Sequence, residues 1–323
     1  MTEGPGGHGH SAPGACSVLW DQAHAPAPGT AAPARFWVAL EQPGPWGREA
    51  ATQSHLDPDV GAGLDRLCAE HGGRLLLIRR PGAHADRRGS QGQRVYVAGG
   101  LTDRPWLLEA DLDLPSQLGR LPWAALAAGD IDIVLDAVPE LEEAPDPVLL
   151  VCTNSRRDVC CAVRGRPVAL AAAQARPGRV WECSHTGGHR FAPTGVLLPW
   201  GQTLARLDAD LAVAALDAAE RGELPAAALG PWHDRGRSVL EPPAQAVEAA
   251  LREQLGEVDL IALSTTAEPD PEDSTAWRCT VSHRDGRRWT VRVERLMGDH
   301  LPESCGKAPV ATWSWRVGPA SLV

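Results

Sequence analysis

The residues able to do chemistry crowd into one window of the chain. "VCTNSRRDVCCAVRG", Val151 to Gly165, carries Cys152, Cys160 and Cys161, and "ECSHTGGHRFAP", Glu182 to Pro193, adds Cys183, His185 and His189. Thiolate sulfur and neutral imidazole nitrogen are metal donors, and two short loops that each offer a pair of them make a four-ligand centre. Cys152 and Cys161 have eight residues between them, His185 and His189 three. A helix would put the two histidines on one face, but Gly187 and Gly188 between them cost a helix about 2 kcal/mol relative to alanine. The pair is therefore expected on a tight loop bent around the centre. Half of the 8 cysteines fall in this window, which favours metal or cluster binding over unrelated thiols.

The other four, Cys16, Cys68, Cys279 and Cys305, are scattered and read as plain thiols. Clustered cysteines in a long chain without a signal peptide point to metal or redox chemistry in a reducing compartment, here the cytoplasm, and not to a disulfide scaffold. The start, "MTEGPGGHGHSAPGA", lacks the basic and apolar regions of a secretory signal. It is expected to be a flexible tail in which His8 and His10 are solvated. No apolar run reaches the length of about 18 residues that a membrane helix requires. A net charge of −10 excludes the basic surface that nucleic acid demands, while an apolar fraction of 43% suffices for a core.

Positioning the donors requires ordered elements on either side. "PVLLVC", Pro147 to Cys152, suits a short buried strand, followed by the cysteine loop and a helix in "RPVALAAAQA", Arg166–Ala175. Asp158 is placed to cap that helix, starting near Cys161. "RVWECSH" is the next strand, "GVLLPWG" and "QTLARL" an adjoining pair, and "DADLAVAALDAAERG" a closing helix capped by Asp208 or Asp210. The upstream half repeats the order: strand "ARFWVALE", the rigid loop "QPGPWG", a helix in "DVGAGLDRLCAEHGG", then "RLLLIRRPG", "QRVYVAGG" and "PWLLEADL". The expectation is an α/β chain with two thioredoxin-like units, the first degenerate and without ligands. Its divisions are a tail (1–15), an N-terminal half (16–139), a ferredoxin domain (140–229) and a small α+β extension (230–323). The acidic, proline-bearing "ELEEAPDP" serves as linker. In the extension, "PPAQAVEAALREQLGE" is an amphipathic helix and "WRCTVSHRDGRRWTVRVERL" a hairpin turning at Asp285-Gly286, with His283 structural.

"CTNSRRDVCCAVRGRPV" followed by "SHTGGHRFAPTGVLLPWG" resembles the sucrase/ferredoxin-like family, as does the upstream "ACSVLW…GTAAPARFWVALEQPGPWG". The likeness runs from about Cys16 to about Leu207 and is most specific at His-x-Gly-Gly-His. It implies a thioredoxin-like ferredoxin carrying a [2Fe–2S] cluster with two cysteine and two histidine ligands. Carried onto this chain, those ligands are Cys152, Cys161, His185 and His189. Cys160 is the alternative to Cys161, because Cys160 and Ala162 stand where fungal relatives have Arg and Gly. Cys183 is a bystander or a spare ligand.

Mixed ligation of this kind implies a potential above about −400 mV, falling as pH rises near and above neutrality. Arg156, Arg157 and Arg190 flank the ligands, either as solvated loop residues or as partners for reduced-cluster charge or an acidic redox protein. Trp181 and Trp200 are expected in the core. "VAGGL" is not a dinucleotide fingerprint, so the reductase and the acceptor would be separate proteins, and the chain an electron carrier more than an enzyme. Competing readings are a structural zinc site and a thiol–disulfide oxidoreductase, although the adjacent Cys160-Cys161 is unlike Cys-x-x-Cys. The acidic residues form no pair assignable to glycoside hydrolysis.

Overall fold

The computed structural model describes residues 13–82 and 92–323. Most of the expected N-terminal tail, with His8 and His10, lies outside the described residues. A short helix, α1 (Cys16–Gln22), comes first, unannounced by any periodic pattern.

The chain then traces one path twice. β1 (Trp37–Glu41) leads through α2 (Pro58–Glu70) into β2 (Arg74–Arg79), parallel to β1; β3 (Gln93–Gly99) pairs antiparallel with the other side of β1, and β4 (Trp106–Leu112) with β3. Helices α3 (Trp123–Ala128) and α4 (Ile131–Ala137) and the two-residue β5 (Glu142–Glu143) complete this half. β6 (Val148–Cys152) leads through α5 (Val159–Ala175) into a parallel β7 (Val180–Cys183). β8 (Gly195–Leu198) then pairs antiparallel with β6, and β9 (Gln202–Leu204) with β8. α6 (Ala209–Ala219) follows, capped by Asp208, whose side chain accepts from the Leu211 N–H at 2.7 Å. β1 and β6 are apolar nearly throughout because both of their faces are covered, as central strands with a parallel neighbour require.

The two halves share one sheet. β7 and β2 pair antiparallel, Ile78 opposite Cys183 and Arg79 opposite Glu182, giving the order β10-β9-β8-β6-β7-β2-β1-β3-β4-β5, where β10 is Asp234–Arg237. A buried ion pair marks the seam. Arg79 Nε and Nη2 donate to Glu182 Oε2 at 2.8 and 2.6 Å, and Thr153 Oγ1 donates to the same oxygen at 2.8 Å. The α/β class inferred from sequence holds.

The C-terminal part is larger than the hairpin legible in sequence. α7 (Pro242–Leu255) packs on an antiparallel sheet of β11 (Leu263–Asp270), β12 (Asp273–His283), β13 (Arg288–Leu301), β14 (Val310–Val317) and β15 (Ser321–Leu322). The β12–β13 turn falls at Asp285-Gly286 as expected, with Gly286 at φ +95°. His283 has the structural role expected, bonded to Glu257 at 2.8 Å. Among the described residues, no helix is long and apolar enough to cross a membrane.

Candidate metal centre

Cys152 ends β6 and Cys161 lies in the first turn of α5. α5 starts at Val159, ahead of the run at Arg166, with Asp158 as the expected cap: its Oδ1 accepts from the Cys160 N–H at 2.9 Å. Pro167 is accommodated inside the helix. Gly165 lets the helix press against the end of β6, since a Cβ there would lie 2.5 Å from the Cys152 carbonyl oxygen. Successive helical residues point about 100° apart, so Cys160 and Cys161 must face different neighbours. Cys161 faces Cys152 and His185, and donor atoms of these three lie within 4.8 Å of one another. Cys160 instead joins Cys16, Cys305 and Asp158. The structure thus groups Cys161, not Cys160, with Cys152.

The histidine loop follows β7. Gly187 and Gly188 have φ of +85° and +73°, so no helix passes through them, in line with the expected bent loop, and His189 opens a single 3₁₀ turn to Phe191. The loop is pinned from a distant element that the local sequence pattern does not reveal. Arg235, buried on β10, donates to the Gly187 carbonyl at 3.0 Å, to Thr30 Oγ1 at 3.0 Å and to the Thr30 carbonyl. Burial pushes this guanidinium down to about 9, aided by the nearby Arg190. His185 Nδ1 stands 4.0 Å from Cys152 Sγ, and the rings of His185 and His189 are 5.4 Å apart between centroids. His189 lies outside that compact group of Cys152, Cys161 and His185; its ring nitrogens are shielded from water without a hydrogen-bond partner, and its Nε2 stands 3.8 Å from Asp158 Oδ2. Burial also lowers its pKa, which keeps the ring neutral and its nitrogen lone pair available.

The two thiols shift in opposite directions. Donation from Cys161 holds Cys152 well below the ordinary thiol range, and the same contact, with burial, holds Cys161 well above it. Cys152 Sγ also lies 3.0 Å from the Ser184 carbonyl. Cys183, opposite Cys152 across the β6–β7 pair, belongs to neither donor group, and burial pushes its thiol far up. Cys68 and Cys279 behave as plain thiols, each pushed up to about 12, chiefly by burial. The expectation of scattered thiols fails for Cys16 and Cys305, which meet Cys160.

Positive charge surrounds the site. Arg74 Nη2 donates to the His185 carbonyl at 3.3 Å, and Arg190 lies over the Trp20 ring at 4.9 Å. Arg156 is exposed, and Arg157 pairs with Glu49 at 2.9 Å. Trp181 is core, edge-on to Tyr96, and Trp200 packs beside the core under α5 and α6. His185 opens onto a cleft of about 240 Å³ whose lining includes Arg48, Glu49, Arg74, Arg157 and Ser184.

These residues fit a metal group on chemical grounds. Two thiols and an imidazole with donor atoms within 4.8 Å of one another could hold a metal, and His189, whose ring nitrogens have no hydrogen-bond partner, stands next to His185 with ring centroids 5.4 Å apart. The family model described as sucrase/ferredoxin-like matches residues 27–218, the segment that contains all four of these side chains. The chain belongs to the sucrase/ferredoxin-like family. Membership covers both strand–helix–strand halves and stops short of β10, α7 and the C-terminal sheet. Neither the curated proteins nor the solved structures give a match.

Proposed function

We propose that this protein is a one-electron carrier whose [2Fe–2S] cluster is held by Cys152, Cys161, His185 and His189. The observation that carries the reading is His189. A partly buried imidazole whose two ring nitrogens are shielded from water and meet no hydrogen-bond partner, 5.4 Å ring to ring from His185 of the Cys152–Cys161–His185 group, is explained by a fourth ligand better than by packing. When bound, such a cluster takes up and releases single electrons, and imidazole ligation in place of thiolate makes uptake easier.

The chain's own residues prepare the site. Arg235 and the two glycines hold the histidine loop in shape, and the Asp158 cap turns Cys161 toward Cys152. Arg74, Arg190 and Arg235 supply fixed positive charge that favours thiolate and an added electron. Donor and acceptor are separate proteins in this reading. The cleft beside His185, with Arg48, Arg74 and Arg157 among its lining residues, suits an acidic redox partner. A cytoplasmic setting agrees with eight cysteines that are all free.

One observation favours a single zinc ion instead: the donors of Cys152, Cys161 and His185 already lie within 4.8 Å of one another, compact enough for one ion. That reading leaves His189 unexplained. Anaerobic purification followed by iron and sulfide analysis separates the two. Equal iron and sulfide with a red-brown spectrum supports the carrier, and a colourless zinc protein refutes it.

A further inference from the structure

Four groups remote in sequence meet at the start of α5, on the side facing away from Cys152. Cys16 comes from α1, Asp158 and Cys160 from the cap and first turn of α5, and Cys305 from the β13–β14 connection. Cys16 Sγ lies 3.6 Å from Cys160 Sγ, Cys160 Sγ lies 3.2 Å from Cys305 Sγ, and Cys305 Sγ lies 3.7 Å from Cys16 Sγ. Both Asp158 carboxylate oxygens are 3.8 Å from Cys16 Sγ. Cys16, Cys160 and Asp158 are buried, and Cys305 is partly so.

We propose that Cys16, Cys160, Cys305 and Asp158 form a second metal site, distinct from the Cys152/Cys161/His185/His189 centre, that binds one zinc ion or a similar thiophilic divalent cation. The spacing is the first ground. Sulfur ligands about 2.3 Å from a tetrahedral zinc stand about 3.8 Å from one another. The three observed sulfur separations describe a triangle only slightly tighter than that, with the carboxylate at the fourth corner. The donor set is the second. Three thiolates and a carboxylate are a closed set for zinc, with no position left for substrate, which marks a structural site.

The third ground is what the site ties together. α1 and the β13–β14 connection have no strand pairing with α5, yet both close over its first turn. Asp158 Oδ2 accepts from the Cys305 N–H at 2.9 Å and from Ser304 Oγ at 2.8 Å, and Trp20 Nε1 donates to the Pro302 carbonyl at 2.9 Å. An ion here would fasten both ends of the chain to the turn that presents Cys161. Cys16 and Cys305 lie outside the segment matched by the family model, so the clamp uses parts of the chain beyond that segment. The proposal does not depend on the identity of the first centre.

The test is metal analysis of the full-length protein, with zinc, iron and sulfide measured on the same sample. Wild type is expected to hold about one zinc per chain. Cys16→Ser and Cys305→Ala should lose it while keeping their iron, and Cys161→Ser should lose iron while keeping zinc. Cys305→His, which restores a donor, should recover the zinc that Cys305→Ala loses, an outcome that a mere packing role would not give. Metal-stripped wild type titrated with cobalt(II) alone should develop the absorption of tetrahedral cobalt thiolate and take up about one more cobalt per chain than stripped Cys305→Ala. Wild type without zinc that also takes up no more cobalt than Cys305→Ala overturns the proposal. So does a zinc content that stays at the wild-type level in both cysteine variants, or a Cys160–Cys305 disulfide found by mass spectrometry in the purified protein.

Discussion

Gly187→Ala and Gly188→Ala change neighbouring residues in the same backbone region, yet the structure assigns them unequal costs. Both positions have φ near +80°, where an added Cβ costs about 1–2 kcal/mol. At Gly187 the new Cβ would find only Ala32 Cβ, at 3.7 Å, an ordinary contact, and the cost ends there. At Gly188 it would lie 2.6 Å from the Arg235 guanidinium carbon, and that buried group would have to retreat. Retreat breaks bonds to the Gly187 carbonyl and to Thr30, and a hydrogen bond from a charged donor is worth about 1.5–3 kcal/mol. Losing one of them brings Gly188→Ala to about 2.5–5 kcal/mol, against about 1–2 for Gly187→Ala. Urea unfolding followed by tryptophan fluorescence measures both, and iron content should fall further in Gly188→Ala. In an Arg235→Ala background the obstacle is gone, so Gly188→Ala should there cost only the backbone part. Equal destabilisation by the two glycine variants, or an unchanged Gly188→Ala cost in that background, would refute the role given to Arg235.

Cys161→Ser should abolish iron binding, whereas Cys160→Ser should retain it, since only Cys161 faces Cys152 and His185; iron analysis of the two proteins decides this. Glu182→Ala strands the buried Arg79 charge at the seam between the halves and should cost about 3–5 kcal/mol in urea unfolding, more than an exposed pair could. Burial raises Asp234 from 3.8 to about 6, although its Oδ1 accepts from Gln202 Nε2 at 2.7 Å and from the Gly236 N–H at 2.8 Å. A carboxyl raised on folding favours the folded state below its unfolded pKa and loses that contribution as pH rises through its folded one. The stability of wild type relative to Asp234→Asn should therefore fall by roughly 2 kcal/mol between pH 4 and pH 7. A difference that stays flat across that range contradicts the burial assigned to Asp234.

What was legible in the sequence is what is encoded locally. Cys152 at a strand end, Asp158 as a cap, the glycine pair and the Asp285-Gly286 turn each announce themselves within a few residues. The doubled strand order was legible too, because short apolar runs bounded by turns recur in both halves. The Asp158 cap, with a start near Cys161, and the apolar run from Arg166 are parts of one helix, Val159–Ala175. Long-range partners left no such trace. Arg235 reaches Thr30 across 205 positions, and Cys305 reaches Cys16 across 289. Neither α1 nor the β13–β14 connection carries a pattern that would name α5 as its neighbour. Choosing between Cys160 and Cys161 also required three dimensions, since neighbours on one helical turn differ in direction and not in local composition.

The central claim is that sulfur from one loop and nitrogen from the other bind a single inorganic group. Pulsed EPR on the reduced, anaerobically purified protein tests it most directly, by detecting nitrogen nuclei coupled to the unpaired electron. Two coupled imidazole nitrogens in wild type, with one lost in His189→Cys, is the result expected. A paramagnetic centre with no strongly coupled nitrogen, or a colourless protein with no signal, would contradict the assignment of His185 and His189 as ligands.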